Sequence, residues 1–135
     1  MRIRTAHLLT ALATIWVASC SQQPGYWRVS ILDKSGVQVG TLDITVPNAS
    51  DPARETYRGN IKSTTGLADY PIGTEAEFTI SNGRFFVDLN PEAHDNNTYL
   101  EGRISNADAE GEVILAIGPM GRSGGTFTAT FVGAE

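Results

Sequence analysis

The chain has 135 residues, of which 41% are hydrophobic and 19% charged, and its formal net charge is −5 at pH 7. This length predicts one domain with a hydrophobic core of its own. The acidic balance argues against nucleic acid and against an anionic membrane face as partners, because both repel negative charge. With a single cysteine, Cys20, the chain cannot form an internal disulfide.

The first 20 residues have the layout of a bacterial export signal. Two arginines are followed by an apolar run over 8–17, and small residues then precede Cys20. The run has the length of a signal-peptide hydrophobic region and is too short to span a bilayer comfortably. The order Val17-Ala18-Ser19-Cys20 resembles the lipobox of bacterial lipoproteins. An ordinary cleaved signal peptide with a coincidental cysteine is the alternative.

The lipobox resemblance implies that the cysteine thiol receives a diacylglycerol, that the chain is cut before it, and that the new amine is acylated. Residues 1–19 are then the signal, residues 20–25 the lipidated cysteine and a short tether, and residues 26–135 the folded domain. In enteric bacteria an aspartate after the cysteine retains lipoproteins in the inner membrane. Ser21 therefore favours the outer membrane, at its periplasmic face or on the cell surface. Three acyl chains, at about 0.8 kcal/mol per buried methylene, anchor a protein durably.

The rest of the sequence consists of short alternating runs, typical of β-strands, that are separated by Gly, Asn, Asp and Pro. It has no long segment with helical periodicity. Strands are predicted over 26–33, 37–46, 55–63, in a hairpin over 75–89, and over 98–105, 111–118 and 124–133. In the second strand the alternation of apolar residues changes phase near Gly40, which predicts a β-bulge there. In the strand over 111–118, the inward residues are predicted to be Val113, Leu115 and Ile117.

The hairpin over 75–89 is the most clearly specified element. Asn82-Gly83 between two alternating runs is a strong signal for a two-residue turn, because both positions need a positive φ. The turn fixes which residues face one another, and its register agrees with the hydrophobic pattern. Six apolar residues are thereby predicted to share the inner face: Ala76, Phe78, Ile80, Phe85, Val87 and Leu89.

Eight strands joined mostly by short connections favour an all-β fold, an eight-stranded antiparallel up-and-down β-barrel, which leaves no exposed sheet edge. Small residues predicted to face inward, such as Gly59 and Gly102, suit a narrow barrel. A two-sheet β-sandwich uses the same strand pattern and stays open as the alternative.

The C-terminal part of the chain has a glycine pattern of its own. A strand begins at Gly111 and ends in Gly118-Pro119, and the chain returns through Gly124-Gly125-Thr126-Phe127. This pattern resembles the end of the small barrels in transferrin-binding-protein-type surface lipoproteins. Val113 and Ile114 replace that family's usual aromatic pair, and its acidic residue before the Gly-Gly is missing. The resemblance implies an eight-stranded lipoprotein barrel. It does not extend to transferrin or haem binding, because the family's binding loops have no counterpart here.

Few residues have the pattern of a catalytic or metal site. His94 is the only histidine outside the signal, and it lies in the polar loop 90–97. Four side chains in or near this loop are possible metal ligands: Asp88, Glu92, His94 and Asp95. Their spacing matches no defined calcium or zinc loop, so a solvated turn, no metal and no cofactor are predicted. Glu77 and Asp88 face one another across the hairpin, but on a barrel exterior such a pair is typical of weakly repelling surface residues rather than of a glycosidase.

The candidate binding residues are aromatic or apolar. The hairpin register turns Phe86 outward beside Thr79, and alternation turns Tyr99 outward as well. Together they are the candidate for an aromatic patch that faces a partner, while Tyr70 and Met120, in longer connections, are candidates for a rim contact. Five other aromatic residues either fill the barrel or line a ligand cavity: Trp27, Phe78, Phe85, Phe127 and Phe131.

These features favour a non-enzymatic, lipid-anchored envelope protein that binds a protein or small ligand through its loops or outer barrel face. A structural or assembly lipoprotein of the outer membrane is the second hypothesis, and a hydrolase is the third. A deep apolar cavity would indicate a small ligand. A filled barrel with an outer aromatic patch would indicate a protein partner.

Overall fold

The computed structural model describes residues 25–46 and 56–133, which form a closed barrel of eight antiparallel strands. The strands are β1 (Gly25–Leu32), β2 (Gln38–Val46), β3 (Thr56–Thr65), β4 (Glu75–Ser81), β5 (Arg84–Asp88), β6 (Asn96–Ser105), β7 (Asp108–Ile117) and β8 (Met120–Gly133). Each strand pairs with its neighbours in sequence, and β8 returns to pair with β1. The predicted up-and-down barrel is confirmed, and the sandwich alternative is not formed. The predicted signal, Cys20 and the tether up to Pro24 lie outside the described residues. Within them, no helix is long and apolar enough to cross a membrane.

The β4–β5 hairpin has the predicted turn and register. Asn82 and Gly83 have φ values of 53° and 77°, as a two-residue turn of this type requires. Phe78 pairs with Val87 and Ile80 with Phe85. All six residues assigned to the inner face are at most 2% exposed. The local turn chemistry and the burial of apolar area therefore select the same register.

Three β-bulges adjust the curvature of the wall. Ile31 pairs with Gly40 but Leu32 pairs with Gln38, so Val39 is the extra residue, and the bulge predicted near Gly40 is confirmed. Two further bulges, which were not predicted, lie in β3 opposite Asp43 and in β8 opposite Val113. Each bulge bends its strand and increases the local twist, which a narrow closed barrel needs.

The barrel interior is filled by large aromatic side chains. Trp27, Phe78, Phe85 and Phe127 are at most 1% exposed, and consecutive rings in this cluster lie 5.1–6.3 Å apart between centroids. Phe131 packs against the same cluster from the wall. The indole nitrogen of Trp27 donates a hydrogen bond of 2.8 Å to the Tyr57 hydroxyl, so this buried donor is satisfied. These residues therefore form the core.

The two ends of the barrel differ in how they are built. The proximal end holds Gly25 at the start of β1 and the tight turns at 82–83 and 106–107. The distal end holds the connections at 33–37, 66–74, 89–95 and 118–119. There the 66–74 connection places Leu67, only 6% exposed, in the core cluster.

The prediction that Ile117 faces the core is wrong. Its side chain is 48% exposed, whereas Val113 on the same strand is fully buried. Ile117 pairs with Met120 at the last position of the β7–β8 hairpin, while β1 contacts β8 only from Thr126 onward. The tip of the hairpin thus extends beyond the barrel at the distal end, where no opposite wall covers Ile117.

Candidate functional site

Phe86 and Tyr99 lie together on the outer face of the barrel, as predicted separately for each. Their rings stack with centroids 5.3 Å apart and an interplanar angle of 27°. Phe86 pairs with Glu101 and Tyr99 with Asp88 across β5 and β6, so the two rings are diagonal neighbours. Long aromatic side chains can reach one another across this diagonal. Both residues are half-buried, which leaves part of each ring accessible.

Ile114 extends this surface onto β7. It pairs directly with Tyr99, and its outward position follows from the burial of Val113 beside it. A Cβ atom added at Gly121 would lie 3.4 Å from Cγ2 of Ile114, so the β8 backbone borders the side chain. We call Phe86, Tyr99 and Ile114 the aromatic patch. The sequence alone did not single out Ile114, although the alternation that turned Val113 inward also turned Ile114 outward.

Acidic side chains border the aromatic patch. Glu101 lies directly opposite Phe86 across β5 and β6, and Glu112 lies opposite Glu101 across β6 and β7. Both glutamates are exposed, and neither forms an ion pair with any cation in the described ranges. Like charges directly opposite one another in a sheet are mildly destabilising. The border of the patch is therefore suited to positively charged groups.

A polar network fixes the strand ends that carry Tyr99. The Asn97 side chain, 1% exposed, donates hydrogen bonds to Asp88 Oδ1 at 2.9 Å and to the Asn90 carbonyl oxygen at 2.6 Å. Asp88 Oδ1 also accepts a bond from the Asn90 backbone amide at 2.9 Å. Burial raises the pKa of the Tyr99 hydroxyl above its ordinary value of 10.0, and the nearby Asp88 carboxylate adds to the effect. Tyr99 therefore presents a neutral ring at physiological pH.

Tyr70 and Met120, the two candidates for a rim contact, both belong to the distal end but differ in environment. Tyr70 is half-buried against the core, and its hydroxyl donates a 3.2 Å hydrogen bond to the Gly124 carbonyl oxygen. Burial raises the pKa of Tyr70, with further contributions from Asp33 and Asp69. Its contacts are those of a residue that covers the distal end of the barrel. Met120 is 75% exposed beside Ile117 at the tip of the β7–β8 hairpin, beyond the aromatic patch.

The carboxylates and the histidine considered as catalytic or metal-binding groups have structural partners or stand in solvent. Over 25–46 and 56–133, no three His, Cys, Asp or Glu side chains are placed to hold a metal ion. His94 is exposed in the distal connection. Glu77 and Asp88 face one another as predicted. However, a guanidinium nitrogen of Arg58 lies 3.5 Å from Glu77, and Asp88 accepts the hydrogen bonds of the network described above.

Comparison with known protein families, with curated proteins and with solved structures finds no match for this chain.

Proposed function

We propose that this chain is a non-enzymatic, lipid-anchored protein of the bacterial envelope that binds a protein partner through the aromatic patch. The observation that carries the proposal is the stacked pair of Phe86 and Tyr99 on the outer face of a barrel whose interior is filled by its own rings. A filled barrel leaves the outer surface as the place for recognition. The acyl anchor on Cys20 would hold that surface at the membrane.

The chemistry of the aromatic patch suits a protein interface. Aromatic residues dominate the binding energy of many interfaces, because they bury much apolar area at a low cost in side-chain entropy. Tyr99 contributes one hydroxyl to the patch, and the side chains of Phe86 and Ile114 have no polar group. Stacking holds the two rings in place before a partner arrives, which lowers the entropy lost on binding.

The acidic border defines the partner further. Glu101 and Glu112 have no ion pair with a described cation, so basic side chains on the partner would neutralise them. Such charge complementarity at the edge of an interface mainly accelerates association and is weakened by salt. The proposed partner therefore offers an apolar centre with lysine or arginine around it.

The proposal is tested by a crosslinking pull-down from intact envelope with the acylated protein. Phe86→Ala combined with Tyr99→Ala should reduce the captured partner by about tenfold or more, the usual effect of removing central aromatic contacts. Capture that is unchanged in this variant would contradict the proposal. Raising the salt concentration should slow association with the unaltered protein.

Tyr26→Ala is the matched control. Tyr26 is a half-buried tyrosine on the outer face of β1, four strands away from β5 in either direction around the barrel, and Arg28 lies over its ring at 5.2 Å. Its replacement removes an outer aromatic ring without touching the aromatic patch, so capture should stay at the original level. Urea unfolding of each variant establishes that the compared barrels are folded.

A further inference from the structure

A groove of about 960 Å³ lies at the proximal end of the barrel. The Asn82-Gly83 turn borders it on one side, and Thr128 to Thr130 of β8 border it on the other. Its charged lining consists of two arginines and two carboxylates: Arg84, Arg103, Asp108 and Glu110. The groove shares no lining residue with the aromatic patch, which lies nearer the distal end of the barrel.

The two arginines face one another across β5 and β6. Arg84 pairs with Arg103, and the Gly83 carbonyl oxygen accepts a 2.9 Å hydrogen bond from the Ile104 amide at the next position. Because hydrogen-bonded and non-hydrogen-bonded pairs alternate, the arginines occupy a non-hydrogen-bonded pair, where Cα atoms are only about 4.5 Å apart. Neither forms an ion pair with a carboxylate in the part of the chain that the structure describes. An anion between the two guanidinium groups would remove their repulsion and could accept bidentate hydrogen bonds.

The carboxylates give the groove a second, opposite charge. Glu110 lies opposite Arg103 on β7, and Asp108 accepts a 2.9 Å hydrogen bond from the Thr130 hydroxyl, which orients it. No described cation forms an ion pair with either. The groove therefore carries positive charge on β5 and β6 and negative charge on β7. This arrangement matches a zwitterion better than a simple anion.

The position of the groove indicates which zwitterionic groups lie within its reach. Cys20 precedes Gly25, the first residue of β1, by five residues, which span at most about 18 Å when fully extended. The polar headgroup layer on each side of a bilayer is about 5–8 Å thick. If Cys20 is acylated, the proximal end of the barrel is thus held within reach of the lipid headgroups.

We propose that this groove binds a phosphoethanolamine headgroup of the membrane that carries the acyl anchor. The phosphate would lie between Arg84 and Arg103, and the ammonium group would lie toward Asp108 and Glu110. A zwitterionic headgroup also suits a chain with a formal net charge of −5, which anionic lipids would repel. Headgroup binding would hold the barrel in one rotational orientation on the bilayer. The aromatic patch would then face parallel to the membrane plane. The inference rests on the proposed lipid anchor.

The test uses residues 20–135 with Cys20→Ser, which contain every described strand but no thiol to acylate. Glycerophosphoethanolamine is titrated in while amide chemical shifts are followed by NMR. Shifts are expected at Arg84, Arg103 and Glu110. Arg84→Gln combined with Arg103→Gln should weaken binding at least tenfold, while Arg122→Gln, near the distal end, should leave it unchanged. Absent shifts, or equal affinity in the double variant, would overturn the proposal.

Two further arms identify the ligand. Glycerophosphocholine, whose ammonium cannot donate hydrogen bonds, should bind several-fold more weakly, and inorganic phosphate should bind more weakly still. If inorganic phosphate binds as tightly as glycerophosphoethanolamine, the groove is a plain anion site and the proposal is wrong. In flotation, the same chain should associate more with phosphatidylethanolamine vesicles than with phosphatidylcholine vesicles. Because this chain has no anchor, these results are independent of whether Cys20 is lipidated or the aromatic patch binds a protein.

Discussion

At the scale of single residues, Phe78 and Phe86 differ in which side of the wall they face. Phe78 is fully buried among Trp27, Tyr57 and Phe85, whereas Phe86 is half-buried against Tyr99. Phe78→Ala should lower the free energy of unfolding by about 3–5 kcal/mol, because it leaves a cavity in the core. Phe86→Ala should lower it by about 1 kcal/mol, the value of a surface aromatic pair. Urea unfolding measures both, and a larger loss for Phe86→Ala would mean that the assigned faces are reversed.

The environment of Thr98 leads to a second prediction about stability. Its side chain is fully buried, and its hydroxyl has no hydrogen-bond partner among the described residues. A buried hydroxyl without a partner loses its hydration with no compensation. Thr98→Val, which keeps the shape, should therefore raise the free energy of unfolding by about 1 kcal/mol. Thr128→Val, at an exposed position of β8, serves as the comparison, and a net loss of stability in Thr98→Val would contradict the expectation.

The raised pKa of Tyr99 leads to a prediction about stability at alkaline pH. Its folded pKa is raised above 10.0 by burial and by Asp88, so the folded state holds the phenolic proton more tightly than the unfolded state. The associated stabilisation is present below the unfolded pKa and is lost as pH rises through the folded pKa. Tyr99→Phe keeps the ring and removes this proton. The variant should unfold at higher pH than the unaltered barrel in an alkaline titration, and an identical midpoint would argue against the raised pKa.

At the scale of elements, β6 and β7 approach one another unusually closely at Gly102 and Gly111. A Cβ atom at Gly102 would lie 1.9 Å from the Glu110 carbonyl oxygen, and one at Gly111 would lie 2.1 Å from the Glu101 carbonyl oxygen. Both obstacles are backbone atoms, so the strands themselves would have to separate. The two glycines therefore permit the close approach of the two strands.

Gly102→Ala should lower the free energy of unfolding by about 1–3 kcal/mol or more, the range for overpacked sites. Gly121→Ala on β8 is the matched control, because the nearest atom to its added Cβ is a side-chain methyl at 3.4 Å. That change should stay within about 0.5 kcal/mol of the original stability. Thermal or urea unfolding compares the two variants. Equal effects would show that the close approach of the strands is not a constraint.

At the scale of the whole molecule, the proposed acyl anchor would determine where the barrel works. Cys20→Ser removes the thiol that would be acylated. The variant should leave the membrane fraction or accumulate as unprocessed precursor, because no other part of the proposal supplies durable membrane binding. Cell fractionation with mass spectrometry of the N-terminus measures this. A variant that is matured and membrane-bound like the original would contradict the lipobox interpretation.

Part of the candidate site could be predicted from the sequence. The outward positions of Phe86 and Tyr99 follow from alternation along each strand. Their stacking could not be predicted, because it depends on the pairing of β5 with β6 through a connection that has no two-residue turn signal. Ile114 was missed for the same reason, since its contact with Tyr99 requires the β6–β7 register. Ile117 was wrongly predicted to be buried, because alternation does not indicate where the opposite wall ends.

Local sequence signals were sufficient to predict the number of strands, their inner and outer faces, the Asn82-Gly83 turn and the bulge near Gly40. These features depend on a two-residue period and on φ values that only certain residues adopt, and both are local. Four features became visible only in the folded barrel: the closure of β8 onto β1, the cover formed by Leu67, the close approach of Gly102 and Gly111, and the pairing of Arg84 with Arg103. These features depend on which distant residues become neighbours, and that is determined by the packing of the whole barrel rather than by any one segment.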